Sequence, residues 1–86
     1  MKVEVSLFGV FRDHEPAGKV VLELPEGARI AELRAALLEY AQAHWPGFRP
    51  GLLQRSAFAS ETSVLRDNEP VPGDGRMAVL PPVSGG

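Results

Sequence analysis

The sequence predicts an α+β fold in which one main helix packs on one face of a mixed sheet of about four strands. Short segments that alternate apolar and polar residues lie near both ends of the chain, and a longer segment between them has apolar residues at spacings of three and four. A helix with one apolar stripe buries it against a sheet face. The length of 86 residues and the 44% hydrophobic content suit a single compact domain.

The first two strands are predicted by alternation with a period of two residues. The residues expected to face the core are Val3, Val5, Leu7, Val20, Leu22 and Leu24. Between the two strands, the polar stretch from Arg12 to Gly18 contains Pro16 and favours a connecting loop. The two strands are therefore expected to form an antiparallel hairpin.

The main helix is predicted from about Arg29 to His44. The residues that recur at helical spacing are Ile30, Leu33, Leu37, Tyr40, Ala41 and His44. Ala28 is not a capping residue, so tertiary packing is expected to stabilise the start of the helix. Pro46 disfavours helical geometry at the residue before it and ends the helix. On the opposite side, we expect a solvated face of charged residues formed by Glu32, Arg34 and Glu39.

The second half of the chain predicts shorter strands. Residues 48–55 form a connection with Pro and Gly, residues 57–59 and 64–65 suggest short strands, and Met77 to Leu80 forms the final strand. With a hairpin at each end of the chain, the first and last strands are expected to be central neighbours. The C-terminal segment would then leave from the middle of the sheet.

Composition argues against several classes of function. A net charge of −2 without a stripe of Lys and Arg disfavours nucleic acid, and no apolar run approaches the length of a membrane span. We therefore expect a cytoplasmic protein without a membrane partner. The chain has no cysteine, so it offers no thiol nucleophile or disulfide. Gly73-Asp-Gly75 lacks the Lys of a phosphate-binding loop, and an independent enzyme is the least favoured class.

Several side chains could suggest a site but have simpler interpretations. Asp13-His14-Glu15 is predicted to be a solvated turn rather than a metal site, because neighbouring residues in a loop do not converge on an ion without further ligands. His44 would interact favourably with the helix dipole. The aromatic residues Trp45, Phe48 and Phe58 are most simply residues of the core or its edge, with partner contact as the less favoured alternative.

The C-terminal segment carries the strongest functional signal. Leu80 and Pro81 each precede a proline, which favours extended geometry, and residues 81–86 could reach about 20 Å. Gly85 and Gly86 have no side chains, so a narrow channel could admit their backbone. A backbone carboxyl group has a pKa of about 3.5 and is a poor electrophile as an anion, so its chemistry needs activation by a partner.

These residues resemble the family of molybdopterin synthase small subunits, which are ubiquitin-like β-grasp sulfur carriers. The similarity is strongest in Leu80-Pro-Pro-Val-Ser-Gly-Gly86 and extends to Leu7-Phe-Gly-Val-Phe-Arg12 and Leu24-Pro-Glu-Gly27. The resemblance implies a β-grasp domain over residues 1–80 and an extended C-terminal tail, residues 81–86, that carries the reactive carboxylate.

The resemblance also implies a mechanism with partners. The carboxylate of Gly86 would be adenylated by an E1-like enzyme that uses ATP and converted to a thiocarboxylate, a C-terminal 1-thioglycine, with sulfur from a sulfurtransferase. The tail would insert into the large synthase subunit, with which the family forms a heterotetramer, and would donate sulfur to the pterin precursor of the molybdenum cofactor. No permanently bound cofactor or metal is expected.

The same resemblance assigns further residues. Gly85, Pro81 and Pro82 would shape the tail, and Leu80 would pack on partners, with Arg12 and Phe58 as additional candidates for partner contact. Two other functions keep the same tail chemistry: a sulfur carrier for thiamine or tRNA thiolation, and a ubiquitin-like modifier ligated to lysines. The paired prolines and the length favour the molybdenum cofactor interpretation by resemblance.

Overall fold

The computed structural model describes residues 1–82, which form one sheet with helices on one side. The strands are β1 (Lys2–Leu7), β2 (Lys19–Glu23), β3 (Ala57–Ala59), β4 (Val64–Leu65) and β5 (Arg76–Leu80). Their spatial order is β2-β1-β5-β3-β4. The α+β class is confirmed, and the sheet has five strands rather than about four because the two residues of β4 pair with β3.

The central position of the first and last strands is confirmed. β1 and β5 are parallel neighbours, whereas β2 pairs with β1 and β3 pairs with β5 in antiparallel fashion. Leu7 lies opposite Val79, so β1 and β5 end at the same edge of the sheet. A polypeptide leaving β5 therefore starts from the middle of the sheet, next to the loop that follows β1.

The core lies between the sheet and the main helix, α1 (Ile30–His44). All six residues predicted from alternation are buried: five lie on β1 and β2, and Leu24 directly follows β2. Facing them from α1 are Ile30, Leu33, Leu37 and Ala41, each almost completely buried. None of the helices in residues 1–82 combines the length and the apolar character that crossing a membrane requires.

The start of α1 shows how tertiary contacts replace a conventional cap. The helix begins one residue later than predicted, and the carboxylate of Glu32 accepts a hydrogen bond of 3.0 Å from the backbone N–H of Arg29. Carbonyl groups of a distant turn accept from the first helical N–H groups: Ile30 donates to Glu69 and Ala31 to Asp67. These bonds satisfy donors that every helix start leaves free.

Two loops contain helices that the sequence analysis did not predict. Residues Gly9–His14 form a 3-10 helix. Its residue Phe11 is fully buried, so this segment packs against the core. A short helix, α2 (Pro50–Gln54), replaces the predicted connection, with Pro50 in its first turn and Leu53 buried. Proline is favourable at a helix start, where its missing N–H costs no hydrogen bond.

Arg34 was predicted to be solvated, and this prediction is wrong. Its guanidinium donates to the carbonyl oxygens of Leu53 (2.7 Å) and Ser56 (2.8 Å) and to the carboxylate of Asp67 (2.8 Å). The group also lies 5.0 Å above the ring of Phe58. Arg34 thus ties α1 to the segment between α2 and β3 and to the turn after β4, whereas Glu32 and Glu39 are exposed as predicted.

Candidate functional site: the C-terminal exit and the open sheet face

The C-terminal tail begins where the central strand β5 ends. Leu80 is the last residue of β5 and lies opposite Ala57 of β3. Leu80, Pro81 and Pro82 are each half-buried, so this segment starts in contact with the domain. Gly85 and Gly86, the residues predicted to carry the chemistry, lie outside the described residues.

Gly9 forms the surface against which Pro81 lies. The backbone of Gly9 has φ of +58°, a left-handed conformation that favours glycine. A Cβ atom on Gly9 would lie only 2.9 Å from Cγ of Pro81, too close for an ordinary contact. The absence of a side chain at Gly9 therefore allows the first proline of the tail to sit against the loop that follows β1.

The sheet face opposite α1, here called the open face, carries a shallow depression beside this exit. Its volume is about 280 Å³. It is lined by Glu4, Ser6, Phe8, Ala59, Ser60, Glu61, Arg76, Met77 and Ala78. The small side chains in its middle leave the strands accessible, and Phe8 presents an exposed aromatic ring (46% exposed). The open face thus offers apolar surface to a partner.

Charged pairs border the depression. Arg76 lies 3.6 Å from the carboxylate of Glu61, and Lys19 lies 3.4 Å from that of Glu4. Both pairs are exposed, so they contribute little to stability. They add a polar rim to an apolar centre, the arrangement typical of interfaces between proteins.

The two further candidates for partner contact have different positions. Arg12 is exposed on the 3-10 helix, and its guanidinium lies beside Gly18 at the β1–β2 hairpin. Because Gly18 bonds to Leu7 at the end of β1, Arg12 lies near the edge of the sheet from which the tail leaves. Phe58 is fully buried under Arg34, so its ring offers no surface to a partner and packs in the core.

Glu15 was predicted to belong to a solvated turn, and the structure corrects this. Its carboxylate accepts hydrogen bonds from the hydroxyl of Tyr40 (2.8 Å) and the indole N–H of Trp45 (2.9 Å). The ring of His14 stacks on Trp45 with 4.9 Å between ring centroids. This cluster fastens the loop before β2 to the C-terminal end of α1, where the ring of His44 lies against Tyr40.

The hydrogen bonds of this cluster shift two ionisation equilibria. The indole of Trp45 and the hydroxyl of Tyr40 hold the pKa of Glu15 below its ordinary value, against a smaller opposing effect of burial. The same bond to Glu15 raises the pKa of Tyr40. In the part of the chain that the structure describes, no three His, Asp or Glu side chains converge as metal ligands. The contacts given for the cluster are hydrogen bonds and ring packing that join the loop before β2 to α1.

Sequence reasoning missed Phe8 and Gly9 as parts of the site. Phe8 continues the outward positions of β1 after Glu4 and Ser6, so alternation alone could have placed an aromatic ring on the open face. The contact between Gly9 and Pro81 joins residues far apart in sequence and left no local signal.

The fold defines a ubiquitin-like β-grasp protein whose last strand, β5, lies in the middle of the sheet. A family model described as the ThiS family matches residues 5–86. The chain belongs to the ThiS family.

Relatives and solved structures agree with this assignment. A relative from Synechococcus elongatus named molybdopterin synthase sulfur carrier subunit is 36% identical over 98% of this chain and 96% of its own length. SAMP1 from Haloferax volcanii, with 21% identity, superposes with a TM-score of 0.70 over the whole of both chains and supports the fold. A chain from the complex of subunits 1 and 2 of the molybdopterin-converting factor of Helicobacter pylori shows 26% identity and a TM-score of 0.56, again over the whole of both chains.

Proposed function

We propose that this chain is the sulfur carrier subunit of a molybdopterin synthase and that the carboxylate of Gly86 carries the sulfur. The observation that carries the proposal is the position of the tail: it leaves the central strand at Leu80, beside an accessible apolar sheet face. The Synechococcus relative, similar over almost its whole length, supports this choice among the functions that use the same tail chemistry.

The chemistry requires little from the domain itself. An E1-like enzyme joins the Gly86 carboxylate to the AMP part of ATP and releases pyrophosphate. Hydrosulfide, or a donor at the same oxidation level, then attacks the acyl carbon and displaces AMP, which leaves a thiocarboxylate without any change of oxidation state. Because the chain has no cysteine, the C-terminal carboxyl group is the natural position for the sulfur. ATP is used by the activating partner and is not a cofactor of this chain.

The domain positions the tail and binds the partner. In this proposal residues 1–80 form the folded carrier, and residues 81–86 enter the active site of a large synthase subunit. The solved complex of subunits 1 and 2 of the Helicobacter pylori molybdopterin-converting factor supports such a partner. Leu80 and the depression on the open face would contact that subunit, with Arg12 at the margin. The thiocarboxylate then transfers its sulfur to the pterin precursor and returns to a carboxylate.

The test is the mass of the charged protein. After incubation with ATP, an E1-like enzyme and a sulfur donor, replacement of one oxygen by sulfur should raise the intact mass by about 16 Da. Fragmentation should place that change at Gly86, and omission of ATP should prevent it. Sulfur found on any other residue would overturn the carrier role. A charged protein that serves thiamine or tRNA thiolation but not the pterin precursor would overturn the assignment to molybdopterin synthase alone.

A further inference from the structure

Strand β2 forms an outer edge of the sheet in residues 1–82, and its outward backbone groups can be identified. Leu7 donates a 2.9 Å hydrogen bond to the Gly18 carbonyl, and Leu24 donates one of 2.9 Å to the Met1 carbonyl. These bonds show that the backbone carbonyl of Gly18 and the backbone N–H of Leu24, at the two ends of β2, point toward β1. In an antiparallel pair, the backbone groups of successive residues point alternately toward and away from the neighbouring strand. The N–H and C=O groups of Lys19, Val21 and Glu23 therefore point away from β1.

The side chains of these same three residues lie on the open face and are exposed. Val21 is 54% exposed, and the side chains of Lys19 and Glu23 are 54% and 70% exposed. An accessible edge strand is a template for pairing with another chain, and a lysine is often placed there to discourage it. In this strand, however, a glutamate stands at the position symmetric to the lysine about Val21.

The segment Lys19-Val-Val-Leu-Glu23 is consequently complementary to itself. In an antiparallel pair with Val21 opposite Val21 of a second copy, each Lys19 lies opposite a Glu23. In this register the outward groups face one another, so each opposed pair of Lys19, Val21 and Glu23 can exchange two hydrogen bonds. Opposite charges on directly facing residues favour such pairing, and like charges oppose it.

We infer that β2 pairs with β2 of a second copy around a twofold axis at Val21, which joins the two sheets into one. The arrangement uses the same surface on both copies, as twofold dimers do. Within each copy, three charges lie near these residues: Glu4, 3.4 Å from Lys19; the amino group of Met1, 4.0 Å from Glu23; and Lys2, which lies opposite Glu23 in the register of β1 and β2. The pair of Lys19 and Glu4 is exposed on both sides and contributes little, and Glu23 is itself 70% exposed although Met1 is only 14% exposed. Both Lys19 and Glu23 therefore remain accessible for contacts across the dimer.

The dimer is compatible with the proposed function but does not rest on it. β2 lies on one side of β1 and β5 lies on the other, so the pairing leaves Leu80 and the start of the tail accessible. A contact between two five-residue strands is smaller than the roughly 1,600 Å² of a standard interface, so the association is expected to be weak and reversible. Two copies that carry the thiocarboxylate could then associate without any change at Leu80, where each tail begins.

Charge variants provide the decisive experiment. In Glu23→Lys the facing pairs become two Lys–Lys contacts, and in Lys19→Glu they become two Glu–Glu contacts. Sedimentation equilibrium of the wild type between about 10 µM and about 1 mM should show a monomer–dimer equilibrium, and each variant alone should dimerise about tenfold more weakly. An equimolar mixture of the two variants restores both opposite-charge pairs and should recover dimerisation as a heterodimer.

The mixture separates a specific pairing from a change in folding. Thermal unfolding of each variant checks that it is folded, and recovery in the mixture cannot come from unfolded chains. A wild type that stays monomeric throughout this range, or a mixture no more dimeric than its components, would overturn the inference. Dimerisation of both single variants at wild-type strength would do so as well, because it would place the interface elsewhere.

A backbone measurement tests the register independently. Val21→Pro removes an N–H that points outward, so it should abolish the dimer while keeping the hydrogen bonds to β1. In the wild type, amide hydrogen exchange of Lys19, Val21 and Glu23 should slow as concentration rises, whereas that of Val20 and Leu22 should not change. Concentration-dependent protection that spares these three amides would contradict the proposed pairing.

Discussion

Gly9 and Pro81 are in contact at the edge of the sheet from which the C-terminal tail leaves. A Cβ on Gly9 would lie 2.9 Å from Cγ of Pro81, and Gly9 has φ of +58°. The loop after β1 and the start of the tail are thereby fitted to each other. The direction in which the tail begins is thus determined partly by a residue more than 70 positions earlier in the sequence.

Gly9→Ala is expected to reduce stability through two effects. A left-handed conformation costs a residue with a Cβ about 1 to 2 kcal/mol, and the contact with Pro81 adds to that cost. Gly47→Ala is the matched control, because Gly47 has φ of +73° but no heavy atom within 4 Å of its added Cβ. Urea unfolding should show the larger loss for Gly9→Ala. Equal losses for both variants would mean that the contact with Pro81 has no energetic effect.

The pairing of Glu15 with Tyr40 and Trp45 predicts a stability that depends on pH. In the folded state these donors hold the pKa of Glu15 below its ordinary value, so its stabilising effect is present above the unfolded pKa of about 4.3. The effect is lost as pH falls through the lower folded pKa. Glu15→Gln should therefore reduce the free energy of unfolding by about 1 kcal/mol at neutral pH and by less in acid.

The free energy of unfolding of the wild type and of Glu15→Gln is measured by urea unfolding at pH 7 and at pH 3, and the two are compared at each pH. Glu39→Gln makes the same change of charge on an exposed position of α1 and should give a difference near zero at both values. A Glu15→Gln difference that stayed constant with pH would show that the ionised carboxylate is not what stabilises the cluster.

The strands of the sheet could be predicted from local patterns, whereas the side-chain hydrogen bonds that hold its loops in place could not. Alternation of Val3, Val5 and Leu7 identified β1 and its buried face, because a period of two residues belongs to the strand itself. The pairing of β1 with β5 followed from the order of the elements. The proline pair placed the tail after the last strand, and the family resemblance supplied its chemistry.

Arg34 and Glu15 illustrate what local patterns leave out. Each has a charged side chain on a segment predicted to be solvated, yet each is held by groups at least 19 positions away in sequence. Nothing in the neighbouring residues indicates these partners. The depression on the open face was also not predicted, because it depends on small residues from three strands meeting side by side.

Deleting Gly86 should separate activity from stability. The buried residues of the described chain extend to Val79, and a glycine has no side chain to contribute to packing. The deletion should therefore abolish sulfur transfer while changing the melting temperature very little. A matched insertion of one Gly after Gly86 would move the carboxylate by about 3.5 Å and tests the reach required. A large fall in melting temperature on deletion would instead indicate a structural role for the C-terminus.

Leu80→Glu is expected to weaken binding of the large synthase subunit. Leu80 is half-buried at the end of β5, and a partner on the open face would cover it completely. A carboxylate enclosed there without a partner charge would cost several kcal/mol, so affinity measured by calorimetry should fall at least about tenfold. Circular dichroism and thermal unfolding establish that the variant is folded before binding is measured.

Glu39→Lys is the control for this experiment, since Glu39 is exposed on α1, on the side of the sheet opposite the open face. It changes charge by two units but should leave affinity nearly unaltered. The two variants together distinguish contact at the open face from a general effect of charge on association. Equal affinities for the wild type and a folded Leu80→Glu variant would remove Leu80 from the interface and leave recognition to the tail.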